Sequence, residues 1–179
     1  MPRPSIRLRN GPIMPERQFV RDLMTVGVAT CPPDTPVIEI ARLLLNRDLE
    51  AVVVLDHEGH AVGVVGQDEL IQAYTHENCR DLTAGDVMRD GVPQLPPDLL
   101  LTAAAQMMRD QGVRTVFLMH HAGGITYPAA TLSYRHLLRH LAAASDDELN
   151  DLGIAAARQN PIEAFKQRRD AAKRRDRDS

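Results

Sequence analysis

Hydrophobic and polar positions along the chain follow two alternating periods. Over Val37–Leu44, apolar side chains recur at i, i+3, i+4 and i+7, which predicts a helix with one side facing a core. Thr35 is a candidate N-cap for this helix, and Pro36 then takes its first position. Two short apolar runs, Ala51–Leu55 and Ala61–Val65, predict strands after it.

The same order of elements then recurs. In the first unit, a brief strand at Val28–Cys31 comes first and the segment QDELIQAY closes the unit as a helix, which gives β-α-β-β-α. In the second unit, Asp98 caps a helix predicted over Leu99–Gln111, and Thr115–Met119 and the AATL segment are strands. Ser133 caps a last helix, YRHLLRHLAAA. HHAGGITYP, between the two strands, is predicted as a turn three residues longer than its counterpart.

The two units match in register. Met24 and Met88, the two PPD motifs, and Gly59 and Gly123 are each separated by 64 residues without a gap. Such a fixed period predicts an internal duplication. Two small sheets with helices on one face cannot each bury their apolar side alone, so we expect an α/β (α+β) fold with the repeats packed together. The predicted division is an N-terminal arm (1–19), repeat 1 (20–79), repeat 2 (80–144) and a charged C-terminal helical extension (145–179).

Composition limits the class of protein further. The 179 residues are 44% hydrophobic and 25% charged, which is typical of a globular protein in water. A net charge of -3 disfavours a dedicated nucleic-acid binder. Cys31 and Cys79 form no CxxC motif, and the chain has neither a secretory-signal pattern nor an apolar run long enough for a membrane span. We therefore expect a cytoplasmic protein without membrane insertion.

Several segments together resemble the tandem CBS-domain pair, or Bateman module, of the cystathionine beta-synthase domain family. They are VRDLM and AGDVM, PPDTPVIEIARLLLNRDLEAVVVLDHEGHAVGVV, and the 64-residue period, over roughly Val20–Ala143. The resemblance implies two β-α-β-β-α repeats packed as a pseudo-twofold pair. It also implies a regulatory protein rather than an enzyme. Such modules bind AMP, ADP, ATP, S-adenosylmethionine or, in some cases, NAD in clefts between the repeats, and they usually dimerise into a disc.

The resemblance also implies where a ligand would sit. The last strand of the family's motif typically runs Gly, two apolar residues, Thr or Ser, two variable residues, then Asp. The Asp accepts hydrogen bonds from the ribose hydroxyls, and the Thr or Ser approaches the sugar-phosphate. In this chain the matching positions are Gly63, Gly66 and Glu69 in the first copy, and Ala130, Ser133 and His136 in the second. Neither copy therefore keeps the family's usual pair of ribose-binding residues.

Further candidates come from the same resemblance. The first strands are expected to present Ala29–Thr30 and Pro93–Gln94 to an adenine edge, chiefly through backbone groups. The central strands are expected to offer Glu50–Ala51 and Arg114–Thr115 at their mouths. Arg114 is the candidate phosphate partner because a guanidinium binds phosphate in a bidentate manner. Glu50, at the matching place in the first copy, would repel phosphate, so we expect the nucleotide beside Ser133 and His136. The complete candidate set is Thr30, Ala51, Glu69, Gln94, Arg114, Thr115, Ser133 and His136.

Each main candidate also has a structural alternative. Glu69 lies at a helix start, where the helix dipole favours a carboxylate, and Ser133 suits an N-cap. Arg114 near a strand end is compatible with a solvated charge. His136 and His140 share a helix face, but no Cys and no HExxH-type carboxylate accompanies them, so we expect no metal site. No catalytic signature is present, and we expect no enzyme activity.

After Ala144 the composition becomes strongly charged. Ser145 and Asn160 are candidate helix starts, and basic side chains outnumber acidic ones in the last segment. This extension could dock an acidic protein, with RNA as the less favoured partner. We thus expect a homodimeric regulatory protein that binds an adenine nucleotide, with or without Mg²⁺, and modulates an unknown protein partner. The alternative is a ligand-free scaffold that docks a partner through the disc and the basic helix.

Overall fold

The computed structural model of the protein describes residues 18–143. Most of the predicted N-terminal arm and the whole C-terminal extension (145–179) lie outside this range, as do the helix starts predicted at Ser145 and Asn160. The longest helix within residues 18–143 has 11 residues. None there approaches the roughly 20 apolar residues that a membrane-crossing helix needs.

The β-α-β-β-α order predicted for each repeat is present, except that the second repeat has only an isolated bridge from Gln94 to Phe117 in place of its first strand. A short helix and a short strand, which the sequence did not predict, come before each unit. The elements of the first repeat are α1 (Val20–Leu23), β1 (Thr25–Val26), β2 (Thr30–Cys31), α2 (Val37–Arg47), β3 (Ala51–Leu55), β4 (Ala61–Gly66) and α3 (Gln67–Tyr74). Those of the second repeat are α4 (Ala84–Val87), β5 (Arg89–Asp90), α5 (Leu101–Asp110), β6 (Thr115–Ala122), β7 (Ile125–Ser133) and α6 (Tyr134–Ala142). The mixed α/β fold is therefore confirmed.

The repeats exchange their first strands. One sheet has the order β2-β3-β4-β5 and the other has the order β1-β7-β6, so β5 of the second repeat completes the first sheet and β1 of the first repeat completes the second. Equivalent pairings occur in both sheets: Ala51 faces Gly66 between β3 and β4, and Thr115 faces Ser133 between β6 and β7. This exchange produces the pseudo-twofold arrangement and brings residues of both repeats to each cleft.

The two long helices α2 and α5 begin later than the sequence predicts. Thr35 Oγ1 donates to the Pro32 carbonyl at 2.8 Å instead of capping α2, and Pro36 is the N-cap. In α5 the N-cap is Leu100, while the predicted cap Asp98 forms an ion pair with Arg21. The physical reason is that the first helical N–H of each helix is bonded to backbone. The Val37 N–H donates to the Leu82 carbonyl at 3.0 Å, and Leu101 likewise to Gln18, so no side-chain cap is required.

The predicted long turn in the second repeat is also wrong. Residues 120–122 and 125–128 continue β6 and β7, and only Gly123 and Gly124 form the turn. Their φ angles are +61° and +81°, the left-handed geometry that two-residue hairpin turns require and that glycine adopts without strain. The three additional residues therefore lengthen the hairpin rather than its loop.

A small apolar cluster joins the two sheets. Val53 and Val64 from the first sheet pack with Phe117 from β6, and all three are buried. Val53 and Phe117 occupy equivalent positions of the two repeats, so this cluster lies where the repeats meet. It is the interface expected from two sheets that cannot bury their apolar faces separately.

Gly63 allows β5 to approach the first sheet. A Cβ at this position would lie 2.6 Å from Met88 Sδ and 2.8 Å from the Arg89 carbonyl oxygen. Because a backbone atom is one of the two obstacles, rotation of a side chain cannot remove the clash. The equivalent residue in the second repeat is Ala130, which is buried beside β1.

Candidate functional site

Two clefts open between the repeats. The first, here called the His136 cleft, has an open volume of about 740 Å³. Its apolar wall comes from the segment after β1, the start of β3 and the centre of β6, and its polar wall from the first turns of α6. The lining residues used below are Val28, Ala29, Glu50, Phe117, Ser133 and His136, with Arg47, Asp48, Arg135 and Arg139 at the polar side.

The second, here called the Glu69 cleft, is smaller, with an open volume of about 430 Å³. It is lined by the start of α3, by β5 and the segment after it, and by the residues before β6. Those used below are Glu50, Gly66, Asp68, Glu69, Arg89 and Arg114. Glu50, Ala51 and Thr115 line both clefts, which therefore meet near the pseudo-twofold axis.

Most of the predicted site residues are in the clefts. Ser133 and His136 line one, Glu69 and Arg114 line the other, and Ala51 and Thr115 line both. Thr30 and Gln94 are exposed and do not line either cleft; their chain neighbours Ala29 and Pro93 do so instead. One residue of each pair expected at the adenine edge, Ala29 of Ala29–Thr30 and Pro93 of Pro93–Gln94, therefore lies in a cleft.

The expected grouping of charged residues is wrong. Arg114 was predicted beside Ser133 and His136, but it lines the Glu69 cleft, where its Nε lies 3.1 Å from Asp68 Oδ2. Glu50, predicted only in the other cleft, lines both. The error follows from the strand exchange, because each cleft combines the central strand of one repeat with the helix start of the other.

His136 is held by three polar contacts. The Ser133 N–H donates to His136 Nδ1 at 3.0 Å, and Ser133 Oγ lies 2.9 Å from the same nitrogen. On the other side of the ring, Nε2 lies 2.8 Å from Thr25 Oγ1 of β1. Since Nδ1 accepts from a backbone N–H, the neutral ring carries its proton on Nε2 and donates to Thr25. His136 therefore completes a capping box for α6 and links it to the exchanged strand.

Burial and two nearby guanidinium groups keep this imidazole neutral. Desolvation lowers the pKa of His136 to about 4, and the positive charges of Arg139 and Arg135 contribute in the same direction. The Ser133–His136 pair is consequently a poor nucleophile–base pair. The lone pair on Nδ1 already accepts a backbone hydrogen bond, and a base of such low pKa removes a hydroxyl proton weakly. The arrangement suits binding rather than nucleophilic catalysis.

Glu69 has a matching structural role in the other cleft. The Gly66 N–H donates to Glu69 Oε2 at 2.9 Å, which forms the capping box of α3, and Arg89 Nε lies 3.2 Å from Oε1. Both carboxylate oxygens are thus engaged. A Cβ at Gly66 would lie 3.2 Å from the Glu50 carbonyl oxygen and from Glu69 Oε2, so the missing hydroxyl of this copy corresponds to a tight backbone approach.

Ion pairs of opposite polarity occupy equivalent positions in the two clefts. Arg135 Nε lies 3.5 Å from Glu50 Oε1 in the His136 cleft, and Arg135 also pairs with Asp48. In the Glu69 cleft, Asp68 of α3 takes the place of Arg135, and Arg114 takes the place of Glu50. Each pair joins the helix start of one repeat to the central strand of the other.

The clefts differ in the charges that remain unpaired. Arg47 and Arg139 line the His136 cleft, and neither forms an ion pair with another residue of the described range 18–143. In the Glu69 cleft, Arg89 and Arg114 are paired with Glu69 and Asp68. The unpaired cations of the Ser133/His136 cleft are therefore Arg47 and Arg139, and not the predicted Arg114.

One group of side chains within residues 18–143 has the spacing of metal ligands. Asp56, Glu58 and His60, in the β3–β4 turn, present ligand atoms within 4.8 Å of one another. Asp56 Oδ1 accepts the Glu58 and His60 N–H groups at 3.0 and 2.8 Å, and these bonds lower the pKa of Asp56. The group therefore has a sufficient structural role as a turn. The histidines considered from the sequence do not form such a group in the described part of the chain.

Sequence reasoning missed Thr25, Arg47, Arg135 and Arg139. The sequence could have indicated Arg135 and Arg139, because they are spaced i, i+4 in the helix that Ser133 begins and so share one face. No local pattern in the sequence indicates Thr25 or Arg47. Thr25 reaches the cleft because β1 pairs with β7, and Arg47 because the C-terminal end of α2 lies beside α6, where Asp48 pairs with Arg135.

The family model of the CBS domain matches residues 20–76 and again residues 84–143. This chain belongs to the CBS-domain family. The strand exchange between its two CBS repeats and the two clefts between them complete the tandem arrangement that the sequence predicts.

The protein MJ1426 of Methanocaldococcus jannaschii, described as uncharacterized, is 35% identical over 54 residues, which are 30% of this chain and 32% of that protein. The chain thus matches about a third of that relative's length.

Solved structures of CBS-domain proteins have the same fold. The CBS-domain protein ATU1752 of Agrobacterium tumefaciens has a TM-score of 0.62 and 21% identity, covering 74% of this chain and 99% of that one. The CBS-domain pair of protein MJ0100, in complex with 5′-methylthioadenosine and S-adenosyl-L-methionine, has a TM-score of 0.61 and 15% identity, covering 70% and 96%. The hexameric CBS-CP12 protein from bloom-forming cyanobacteria has a TM-score of 0.58 and 17% identity, covering 69% and 68%. At these identities the likeness establishes the fold alone.

Proposed function

We propose that this CBS-pair protein is a non-catalytic regulator that binds an adenosine nucleotide in the His136 cleft and thereby alters its association with a partner protein. The observation that carries the proposal is the pair of guanidinium groups, Arg47 and Arg139, which line this cleft without an ion-pair partner in residues 18–143. An anionic ligand would supply the missing acceptors. AMP, ADP and ATP meet this requirement, the last two with or without Mg²⁺.

The remaining surface of the cleft suits the other half of such a ligand. Val28, Ala29 and Phe117 provide an apolar wall next to the arginines. A base would lie against this wall with its phosphates toward α6. S-adenosylmethionine, present in the MJ0100 complex, shares the base and ribose but lacks the phosphates. We therefore expect it to bind more weakly here than the nucleotides.

Replacing Arg139 with glutamine is expected to weaken nucleotide binding by about tenfold or more. A charge-assisted hydrogen bond contributes about 1.5–3 kcal/mol, and the substitution removes the charge while it keeps most of the side-chain length. Isothermal titration of the full chain with AMP, ADP, ATP and S-adenosylmethionine, with and without Mg²⁺, measures this effect.

The matched control is Arg109→Gln. Arg109 lies in the last turn of α5, is exposed and lines neither cleft, so its replacement should leave affinity unchanged. A wild-type chain that binds none of these ligands would refute the proposed function. Equal weakening by both variants would indicate non-specific attraction of phosphate to surface charge.

The second candidate function is a ligand-free scaffold. Both nitrogens of His136 and both carboxylate oxygens of Glu69 are already bonded within the protein, and this observation favours clefts that serve only to hold the repeats together. The basic extension assigned to partner docking lies outside residues 18–143, and its role stays a prediction. A flat titration with every nucleotide, together with retained partner capture, would favour the scaffold.

A dimer is part of the proposed function. Ile71 and Tyr74 of α3 and Leu138 and Leu141 of α6 are between 63% and 77% exposed, and they occupy equivalent positions of the two repeats. A second copy, related by a twofold axis, would cover both helices with the same contacts.

Replacing Leu138 with lysine is expected to shift the chain from dimer to monomer, because it places a charge in the centre of this apolar face. Light scattering coupled to size exclusion measures the mass. Leu45→Lys is the control, since Leu45 on α2 is even more exposed than Leu138 but has the polar Arg109 as its counterpart in the second repeat. A dimer that survives Leu138→Lys would show that the copies associate elsewhere.

A further inference from the structure

Glu50 is the one half-buried carboxylate of the His136 cleft. Its side chain is 21% exposed, whereas that of Asp48, the other carboxylate lining this cleft, is 70% exposed at the rim. Oε1 of Glu50 lies 3.5 Å from Arg135 Nε. Its second oxygen, Oε2, accepts no hydrogen bond from any residue in the described range 18–143. The cleft therefore contains a strong acceptor that lacks a donor.

The position where the family's motif has a carboxylate cannot supply this acceptor here. His136 stands at that position, with Nδ1 occupied by the Ser133 N–H and Nε2 bonded to Thr25. A neutral imidazole has one acceptor nitrogen, and this ring uses it within α6. A nucleotide in the cleft would thus leave its ribose hydroxyls without an acceptor from α6.

We propose that Glu50 accepts hydrogen bonds from the ribose hydroxyls of the nucleotide and so replaces the carboxylate that α6 lacks. The assignment rests on the proposed nucleotide binding in the His136 cleft. Two neighbouring hydroxyls are donors that one carboxylate can accept together, and Glu50 reaches the cleft from the repeat opposite to α6. The ribose acceptor would thus lie at the start of β3 instead of in α6, within the same cleft.

Arg135 positions this carboxylate. Its guanidinium bridges Glu50 and Asp48, and Oε2 of Glu50 takes no part in this ion pair. The equivalent of Glu50 in the other repeat is Arg114, which has only donors and is already paired with Asp68. The Glu69 cleft thus has no carboxylate of its own at this position and shares Glu50 with the His136 cleft. Because one Glu50 serves one ribose, we expect one nucleotide per chain.

The test compares ADP with 2′-deoxy-ADP in wild-type chain and in Glu50→Met. Methionine is similar in length and has no strong acceptor, while the loss of a negative charge raises the affinity for both nucleotides alike. The ratio of the two dissociation constants is therefore the measurement that reports on the ribose. We expect wild-type protein to prefer ADP by about tenfold, as for one hydrogen bond to a charged group, and Glu50→Met to lose this preference. Glu50→Gln, which keeps one neutral acceptor, should have an intermediate ratio.

Glu39→Gln is the matched control, because Glu39 is an exposed carboxylate of α2 that lines neither cleft. It should keep the wild-type ratio. If Glu50→Met is unstable, Glu50→Gln carries the same test. Inosine diphosphate provides a further arm: a changed ADP to IDP ratio with an unchanged ribose ratio would place Glu50 at the base and overturn the assignment.

The outcomes separate this inference from the proposed function. If wild-type chain binds neither ADP nor 2′-deoxy-ADP, the proposed function itself fails. If it binds ADP but Glu50→Met keeps the full preference for ribose, nucleotide binding stands and Glu50 is not its ribose acceptor. If Glu50→Met loses the preference for ADP over 2′-deoxy-ADP and the control variant keeps it, both the proposed nucleotide binding and the assignment of Glu50 are supported.

Discussion

Replacing Phe117 with alanine is expected to lower the free energy of unfolding by about 3–5 kcal/mol. Phe117 is fully buried where Val53 and Val64 of the other sheet meet it, so the substitution removes apolar contact and leaves a cavity between the repeats. The other buried residues of this cluster, Val53 and Val64, are too short and too restricted at χ1 to fill the space. Urea denaturation of ligand-free protein, followed by circular dichroism, measures the change.

A control at the surface separates this effect from a general loss of side-chain area. Leu45 is 82% exposed, and Leu45→Ala should change the free energy of unfolding by less than about 0.5 kcal/mol. A Phe117→Ala variant that loses under about 1 kcal/mol would contradict a shared core. It would imply that the two repeats are stable independently of their mutual contact.

Acidification is expected to destabilise the protein between about pH 6.5 and pH 4 through His136. The imidazole binds a proton near pH 6.5 in the unfolded chain but only near pH 4 in the folded one. Over this interval the unfolded state binds more protons, so the free energy of unfolding falls as the pH falls. The stabilisation is complete above about pH 6.5 and lost once the pH reaches about 4. The total effect is on the order of 3 kcal/mol.

His136→Gln isolates this contribution. Glutamine keeps an acceptor for the Ser133 N–H and thus the capping box of α6, but it does not titrate. The pH dependence between 4 and 6.5 should become markedly flatter in the variant. The carboxyl groups of Asp56 and Asp86 do not contribute to this slope, since hydrogen bonds from backbone N–H groups lower their pKa and move their titration below this interval. An unchanged slope would mean that another group titrates there.

Much of the fold follows from local pattern and from the repeat. The strand predicted at Ala51–Leu55 has the predicted bounds, because a short run of buried β-branched residues between polar turns has few other conformations. Ser133 begins α6 as predicted, since a serine before a polar helix start is a local signal. The helix starts at Thr35 and Asp98 failed because backbone groups from distant segments bond the first helical N–H groups.

The composition of the clefts was less accessible to sequence reasoning. Glu69, Ser133 and His136 were found through a motif whose spacing is local. Their surroundings were assigned to the wrong repeat, because the exchange of β1 and β5 between the sheets leaves no mark in the periodicity of either strand. The 64-residue register identifies equivalent residues, but it does not tell which of them face each other.

The reversed polarity of the two cleft ion pairs has a consequence for how duplicated halves recognise each other. In a pairing of first repeat with first repeat, Glu50 would face Asp68, and in a pairing of second with second, Arg114 would face Arg135. Only the unlike pairing places opposite charges together at both sites, and repulsion disfavours the like pairings. The two repeats of the duplicated unit are thus electrostatically complementary to each other and not to themselves. These charges specify heterotypic pairing of the repeats, within one chain or between chains.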